Sequence, residues 1–171
     1  GDALAIDPLD YKKCLAAASD NDWTITQILN THEHGDHTGG NQGLQNATGC
    51  KIWAHKNAEG KIPSIDRFLS GGESIPLGED HQLKVLDTPG HTFAHLCLML
   101  EEKGTMKAVF TGDTLFNAGV GNCHNGGNPE VLFKTIHEQF QNLPDDVLVY
   151  PGHDYLFNNL KFTLVREPSN I

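Results

Sequence analysis

The chain has 171 residues, of which 38% are hydrophobic and 20% charged, and its formal net charge is −10. This length suits one domain with a sizeable core, so we expect a single domain over residues 1–171. An acidic chain with scattered Lys and Arg disfavours nucleic acid and anionic membranes as partners, and no apolar run is long enough to cross a bilayer. A small molecule is the expected partner.

The cysteines indicate a reducing compartment. Cys14, Cys50, Cys97 and Cys123 lie far apart in the sequence, and no CxxC pair occurs. Disulfide staples are unusual in a domain of this size without such pairs. The first ten residues lack the basic and apolar regions of a signal peptide, and they also lack an initiator Met. We expect a processed or truncated N-terminus and a cytoplasmic location, with the mitochondrial matrix as the alternative.

The hydrophobic pattern predicts strands and helices along the whole chain. Alternating or continuous apolar runs bounded by Gly and Pro predict strands, and apolar residues at helical spacing predict helices. In chain order, we predict a strand at 4–8, a helix at 9–19, a strand at 23–30, a helix at 40–49, strands at 51–54, 74–77, 82–87, 95–101 and 107–111, a helix at 130–142, a strand at 147–150 and a helix at 156–165. This order indicates a layered α/β architecture.

Four separate groups of polar residues follow predicted strands. The segment 32–37 follows the strand at 23–30, and His91, Asp113 and His153 each follow a later strand. Reactive groups are commonly presented on loops at one edge of a sheet, because the strands fix the positions of those loops. We therefore expect these four groups to lie close together.

The segment 31–40, THEHGDHTGG, has the spacing of metal ligands. In an extended or turning loop its side chains point in two directions, so one segment can supply two neighbouring ions. With the later strand-end residues, the set contains five His and two Asp, which suffices for two first-row cations with open positions. The alternative is a polar turn in a chain with ten histidines. We expect the other histidines to be surface or core polar groups: His55, His81, His95, His124 and His137.

Several motifs resemble those of a known family. THEHGDHTGGN, TPGHT, FTGDTLF and YPGHDY, in this order, resemble the metallo-β-lactamase superfamily. GDTLFNAGVG and GHDYLFNNLKFTLVREPSN are similar to the glyoxalase II (hydroxyacylglutathione hydrolase) family within it, and the resemblance covers residues 5–171. It implies a four-layer αββα sandwich. It also leads us to expect that the family's N-terminal hairpin and C-terminal helical domain are absent from this chain.

The resemblance implies roles for the candidate ligands. It assigns two divalent cations, with Zn²⁺ expected and Fe²⁺ or Mn²⁺ as alternatives at the second position. Asp36 and Asp113 would position a metal-bridging hydroxide that attacks a thioester, and the thiolate would leave without a strong general acid. The implied ligands are His32, His34 and His91 for the first ion, Asp36, His37 and His153 for the second, and Asp113 between them.

The expected substrate contacts lie in two places. Tyr155 matches the position that contacts glutathione in the family, although a buried aromatic role fits it equally well. The family's Lys and Tyr that recognise the glycine carboxylate correspond here to Asn122 and His124, so a fixed positive charge is replaced. An amidated, polyamine-linked glutathione therefore remains an alternative carrier. Three side chains that flank His91 are expected to orient its ring: Asp87, Thr88 and Thr92.

The function implied by the resemblance is hydrolysis of S-D-lactoylglutathione to D-lactate and glutathione, as in methylglyoxal detoxification, by a monomeric binuclear enzyme. One alternative is an iron-dependent persulfide dioxygenase that holds a single Fe²⁺ with His32, His91 and Asp113. Another is a non-catalytic metal-binding relative. Asp113 disfavours β-lactam hydrolysis, because β-lactam hydrolases of the superfamily commonly place a Cys there.

Overall fold

The computed structural model describes residues 1–169 as two sheets flanked by helices. The strands are β1 (Asp2–Ile6), β2 (Thr24–Leu29), β3 (Lys51–His55), β4 (Ile65–Leu69), β5 (Ser74–Leu77), β6 (His81–Asp87), β7 (Leu96–Glu102), β8 (Thr105–Gly112) and β9 (Leu148–Pro151). The helices are α1 (Tyr11–Asp20), α2 (Gly35–Thr38), α3 (Asn41–Thr48), α4 (Pro129–Gln139) and α5 (Leu156–Arg166). All twelve predicted elements are confirmed, with ends shifted by at most three residues.

The two sheets differ in strand direction. The first has the order β1-β2-β3-β4 and is parallel throughout. The second has the order β5-β6-β7-β8-β9 and is antiparallel except for the parallel pair β8 and β9. Parallel strands place their carboxyl ends at one edge. The residues that follow β1, β2 and β3 therefore emerge together.

Three separate groups of buried side chains define the four layers. Ala18 of α1 and Leu44 of α3 pack with Ile28 and Ile52 of the first sheet. A second group lies between the two sheets and is formed by Leu29, Leu69, Ile75, Leu83, Val85, Leu96 and Leu98. A third group packs the region of α4 against the second sheet and includes Cys97, Met99, Val109, Phe140 and Val147. This order of helix, sheet, sheet and helix confirms the predicted αββα sandwich.

The strand β7 shows why one predicted run is continuously apolar. Leu96 and Leu98 face the first sheet, whereas Cys97 and Met99 face the α4 layer. Alternate side chains of a strand point to opposite faces, so a strand that is buried on both faces has no polar side. No described helix combines the length and apolar character that a bilayer crossing requires.

One strand, one α-helix and a short 3-10 helix at Lys56–Ala58 were not predicted. The edge strand β4 contains the charged residues Asp66 and Arg67, which interrupt the strand pattern. The Asp66 carboxylate accepts a hydrogen bond from the backbone N–H of Ile52, and the Arg67 guanidinium lies 4.6 Å from the ring centroid of Trp53. The short helix α2 forms within THEHGDH, which the sequence indicated only as an extended or turning loop.

The chain is tightly packed where α2 meets α3. A Cβ atom on Gly40 would overlap the carbonyl oxygen of Pro8, just after β1. Gly35 at the start of α2 has free space, because a Cβ atom there would contact nothing within 4 Å. The absence of a side chain at Gly40 therefore lets the end of β1 approach the segment that carries the candidate ligands.

We expect Gly40→Ala to lower the free energy of unfolding by about 2–3 kcal/mol, because a backbone carbonyl cannot move aside as a flexible side chain can. Gly35→Ala is the matched control and should leave stability unchanged or slightly raised. Urea denaturation followed by circular dichroism measures both values. Equal midpoints for the two variants would contradict this account of the packing.

Candidate metal centre

The candidate ligands are carried by segments that follow strands of both sheets. His32 follows β2, and α2 then turns the chain so that Asp36 and His37 lie on a different side from His34. His91, Asp113 and His153 follow β6, β8 and β9 in the second sheet. The structure brings all seven predicted ligands together at one edge of the sandwich.

Three imidazoles converge to form the first group. His32 Nε2 lies 3.0 Å from His34 Nδ1, and His34 Nδ1 lies 3.0 Å from His91 Nε2. Nitrogens bound at 2.0–2.1 Å to a tetrahedral zinc ion lie roughly 3.3 Å apart. The three atoms are therefore spaced as the ligands of one ion would be.

A second group lies beside the first and is nearer to solvent. His37 Nε2 lies 3.2 Å from His153 Nε2, and Asp36 Oδ2 lies 3.3 Å from the same His153 atom. The Asp36 side chain is 53% exposed, whereas that of His37 is 2% exposed. This group supplies two nitrogens and one carboxylate oxygen within 4.8 Å of one another.

Asp113 lies between the two groups. Its Oδ1 atom is 3.2 Å from His37 Nε2, and its Oδ2 atom is 3.5 Å from the Nε2 atoms of both His91 and His153. Within residues 1–169, Oδ1 is buried and meets no hydrogen-bond donor apart from this close approach of His37. A buried carboxylate with so few partners is costly, and a cation between the two groups would add the missing interaction. The residues therefore fit a pair of cations, and the mixed nitrogen and oxygen donors suit zinc or iron.

Asp7 holds the opposite side of His37, a role that the sequence did not indicate. Its Oδ2 atom lies 2.9 Å from His37 Nδ1, and the same carboxylate accepts hydrogen bonds from the backbone N–H and hydroxyl of Thr31. The Thr31 hydroxyl also lies 3.0 Å from His32 Nδ1. Carboxylates in this position fix the ring orientation of a ligating histidine. The signal in the sequence was that Asp7 lies near the end of a predicted strand, that at 4–8.

The other ring nitrogens of His91 and His34 face backbone carbonyls. His91 Nδ1 lies 2.6 Å from the carbonyl oxygen of Asn122, and His34 Nε2 lies 3.4 Å from that of Asn125. The prediction that flanking side chains orient His91 is wrong. Their actual partners are His95 for Thr88, Glu33 for Thr92 and His55 for Asp87.

His95, which was expected to be an ordinary polar residue, lies behind the ligands and contacts two of them. It is fully buried, and its ring stacks on His32 with centroids 4.9 Å apart. Its Nε2 atom accepts a hydrogen bond from the backbone N–H of Asp113, and its Nδ1 atom lies 2.9 Å from the Thr88 hydroxyl. His95 thus links two ligands without facing the cavity. Its position inside an apolar run concealed this role.

Burial and charge set the protonation of the ligands in the metal-free protein. Burial, reinforced by the neighbouring imidazoles, lowers the pKa of His32, and burial likewise lowers the pKa of His91. Both rings are therefore neutral and able to bind a cation. Burial also acts to lower the pKa of His37, but the carboxylates of Asp113 and Asp7 outweigh it and raise the pKa to about 10. Burial favours the neutral form of Asp113, but His37 outweighs this and keeps its pKa below the usual value.

The ligands open into a cavity of about 340 Å³. Phe116 and Tyr155 line it together with Asn122, so two of the three predicted substrate contacts are at the centre. The Tyr155 ring stacks on His153 with centroids 5.1 Å apart and packs edge-on against Phe116. His124 lies instead on a neighbouring groove. The aromatic pair forms one wall of the cavity beside the second ligand group.

Comparison with known proteins agrees with this geometry. The family described as "Metallo-beta-lactamase superfamily" matches residues 2–153. A hydroxyacylglutathione hydrolase of Polaromonas sp. is 56% identical over 170 residues, which is 99% of this chain and 64% of that protein. The chain therefore spans 64% of the length of this relative.

Solved structures show the same fold. ETHE1 from Myxococcus xanthus superposes with a TM-score of 0.76 at 29% identity, over 90% of this chain and 66% of that one. TTHA1623, solved in a di-iron-bound form, gives a TM-score of 0.70 at 30% identity, over 86% of this chain and 80% of that one.

We expect Asp7→Asn to weaken binding of the second cation about 10- to 100-fold, because the substitution removes the carboxylate that orients His37. The first cation should bind as in the unmodified protein. Zinc titration against a competing chelator measures both affinities. Asp20→Asn, at the exposed end of α1, is the control and should bind both ions normally. Two unaltered zinc affinities in Asp7→Asn would show that Asp7 does not position the ligand.

Proposed function

Since this chain belongs to the metallo-beta-lactamase superfamily, we propose that it hydrolyses glutathione thioesters with the aid of two divalent cations. The observation that carries the proposal is the position of Asp113 between two complete ligand groups. The name of the Polaromonas relative supports a glutathione thioester as the substrate class. We infer that S-D-lactoylglutathione is the substrate, and that the products are D-lactate and glutathione.

The ligand roles follow the two groups. His32, His34 and His91 would hold one ion, and the buried rings of His32 and His91, whose pKa burial lowers, are suited to this. The second ion would be held by Asp36, His37 and His153, with Asp113 shared between the two. Zn²⁺ is the expected ion, with Fe²⁺ or Mn²⁺ as alternatives at the second position. The di-iron form of TTHA1623 is consistent with iron in this fold.

The reaction adds water across the thioester C–S bond. Divalent cations bound here would lower the pKa of a nearby water molecule and would polarise the thioester carbonyl. The buried Asp113 and the more exposed Asp36 face this region, so they are placed to orient the attacking water. The carbon–sulfur bond breaks as the carbon–oxygen bond forms, and the sulfur leaves as a thiolate. Because a thiol has a pKa of about 8.5, no side chain needs to protonate the leaving group strongly.

Substrate contacts are expected at the wall formed by Tyr155 and at Asn122. Both residues line the cavity that contains the ligands. The side chain of Asn122 is neutral, so the family's interaction with the glycine carboxylate would be weaker here. An amidated carrier thus remains the alternative substrate. His124 is one step further from the ligands, on the adjacent groove.

The compartment, the oligomeric state and the partners of the protein are predicted from its sequence. A reducing compartment such as the cytoplasm stays a prediction from the cysteine spacing. A monomeric state and the absence of nucleic-acid or membrane partners stay predictions from composition.

The first experiment is thiol release from S-D-lactoylglutathione by the zinc-loaded or iron-loaded chain. We expect steady turnover, and a loss of kcat/KM of at least about 100-fold in Asp113→Asn, because a carboxylate that organises the charged centre is removed. Asp80→Asn, an exposed partner of Lys103, is the control. A folded protein with two bound ions that releases no thiol would overturn the proposal. Oxygen uptake with glutathione persulfide would instead favour the dioxygenase.

Two substitutions separate the roles of Tyr155. Tyr155→Phe keeps the ring on His153 but removes the hydroxyl, so we expect KM to rise about 2- to 10-fold with unchanged metal content. Tyr155→Ala also removes the stacking and should lower the zinc content. Tyr150→Phe is the control, since Tyr150 stacks on Phe110 outside the cavity. An unchanged KM in Tyr155→Phe would assign this residue a packing role alone.

A further inference from the structure

Glu33 lies between two ligands of the first group but points away from them. The backbone at His34 is extended, and successive side chains of an extended segment point to opposite sides. The rings of His32 and His34 face the centre, so the Glu33 carboxylate lies on the outer side of the same loop. That side chain is only 14% exposed, and a carboxylate with so little access to water requires partners within the protein.

Two donors from different parts of the chain hold the Glu33 carboxylate. The Lys61 ammonium group donates a hydrogen bond to Oε1 over 2.7 Å, and the Thr92 hydroxyl donates one to Oε2 over 2.8 Å. Thr92 is buried and directly follows the ligand His91. Neither contact reaches the His91 ring, whose Nδ1 atom faces a backbone carbonyl. The carboxylate instead ties the loop of two ligands to the loop of the third.

The segment 56–62, which carries the ammonium group, is fixed to the loop of the third ligand by two further contacts. Ala58 is fully buried in the core group that also contains Ala94 of that loop. Asn57 donates a hydrogen bond from Nδ2 to the carbonyl oxygen of Phe93 over 2.9 Å. A lysine that projects from a fixed backbone gives up less freedom when it pairs than one on a mobile segment. The ion pair is therefore part of the folded frame around the ligands.

We propose that Glu33, held by Lys61, is a positioning residue that keeps the three imidazoles of the first ligand group at the spacing one cation requires. The inference rests on the proposed function for its two cations, but not for its substrate. Binding at this group requires nitrogens from two loops at once, and Glu33 joins those loops on their outer side. Ligands that are held in place before a cation binds lose less freedom on binding, which raises the affinity.

The test measures zinc binding to the two ligand groups separately. Zinc is titrated into the isotopically labelled chain against a competing chelator, and nitrogen NMR of the histidine rings shows which group each ion occupies. We expect Glu33→Ala to weaken zinc binding at the first group at least about tenfold, as the loss of a residue that supports metal ligands commonly does. The second group should keep the affinity that it has in the unmodified chain, because its ligands do not depend on this contact.

Lys61→Met is the milder variant, because the lysine side chain is 47% exposed. It leaves Glu33 with the Thr92 hydroxyl alone, so we expect zinc binding at the first group to weaken about two- to fivefold, as for a partly exposed ion pair. The double variant Glu33→Ala/Lys61→Met should bind zinc no more weakly than Glu33→Ala. Two substitutions that remove the same contact are not additive.

Two matched controls remove comparable contacts elsewhere. Glu73 accepts hydrogen bonds from the Arg67 guanidinium and the backbone N–H of Ser70, and it lies on the turn before β5. Glu73→Ala therefore reproduces the loss of a doubly held carboxylate away from the ligands. Lys51→Met removes the 3.1 Å ion pair with Asp66 between β3 and β4. Both variants should bind two zinc ions with unaltered affinities.

Unaltered zinc affinity at the first group in folded Glu33→Ala would overturn the inference. An equal loss at both groups would do the same, because it would show a general loss of packing. If Glu33→Ala does not fold, Lys61→Met decides, since a loss confined to the first group supports the positioning role and no loss overturns it. Thiol release is measured separately, so a chain that binds two ions without releasing thiol would overturn the proposed hydrolysis and leave this result valid.

Discussion

The arrangement of the centre depends on one buried carboxylate, that of Asp113, surrounded by imidazoles. His37, His91 and His153 all place a ring nitrogen within 3.5 Å of its oxygens. A buried anion requires compensating positive charge or hydrogen bonds. The protein meets this requirement with His37, which is itself held by a second carboxylate, and with a geometry that suits cations.

Hydrogen bonds within the protein hold the backbone around Asp113 in place without a metal ion. Its N–H donates to His95, and its carbonyl oxygen accepts from the N–H of Gly121. The neighbouring glycine Gly152 leaves room for the carboxylate, because a Cβ atom there would lie 2.7 Å from Oδ1. Preorganisation of this kind matters because a metal centre that had to rearrange on binding would lose affinity.

The two ligand groups differ in their exposure to solvent, so the centre has a buried side and an open side. The first group is nearly enclosed, with His32 and His91 buried. The second group opens toward solvent through Asp36 and is bordered by Tyr155. A substrate would therefore approach from the side of the second group, and the groove beside Asn122 lies along the same cavity wall.

Most of the strands and helices and all seven candidate ligands could be predicted from the sequence alone. The ligand types and their spacing in THEHGDH are local, and the strands that precede each ligand have hydrophobic patterns that identify them without tertiary information. Partners distant in the chain were decided only by the tertiary structure. Asp7 meets His37 because the parallel strands β1 and β2 end side by side in the first sheet, and His95 meets Asp113 because β7 begins beside the end of the antiparallel strand β8 in the second sheet. The edge strand β4 was likewise hidden, since its charged residues are explained only by the neighbouring strand against which they pack.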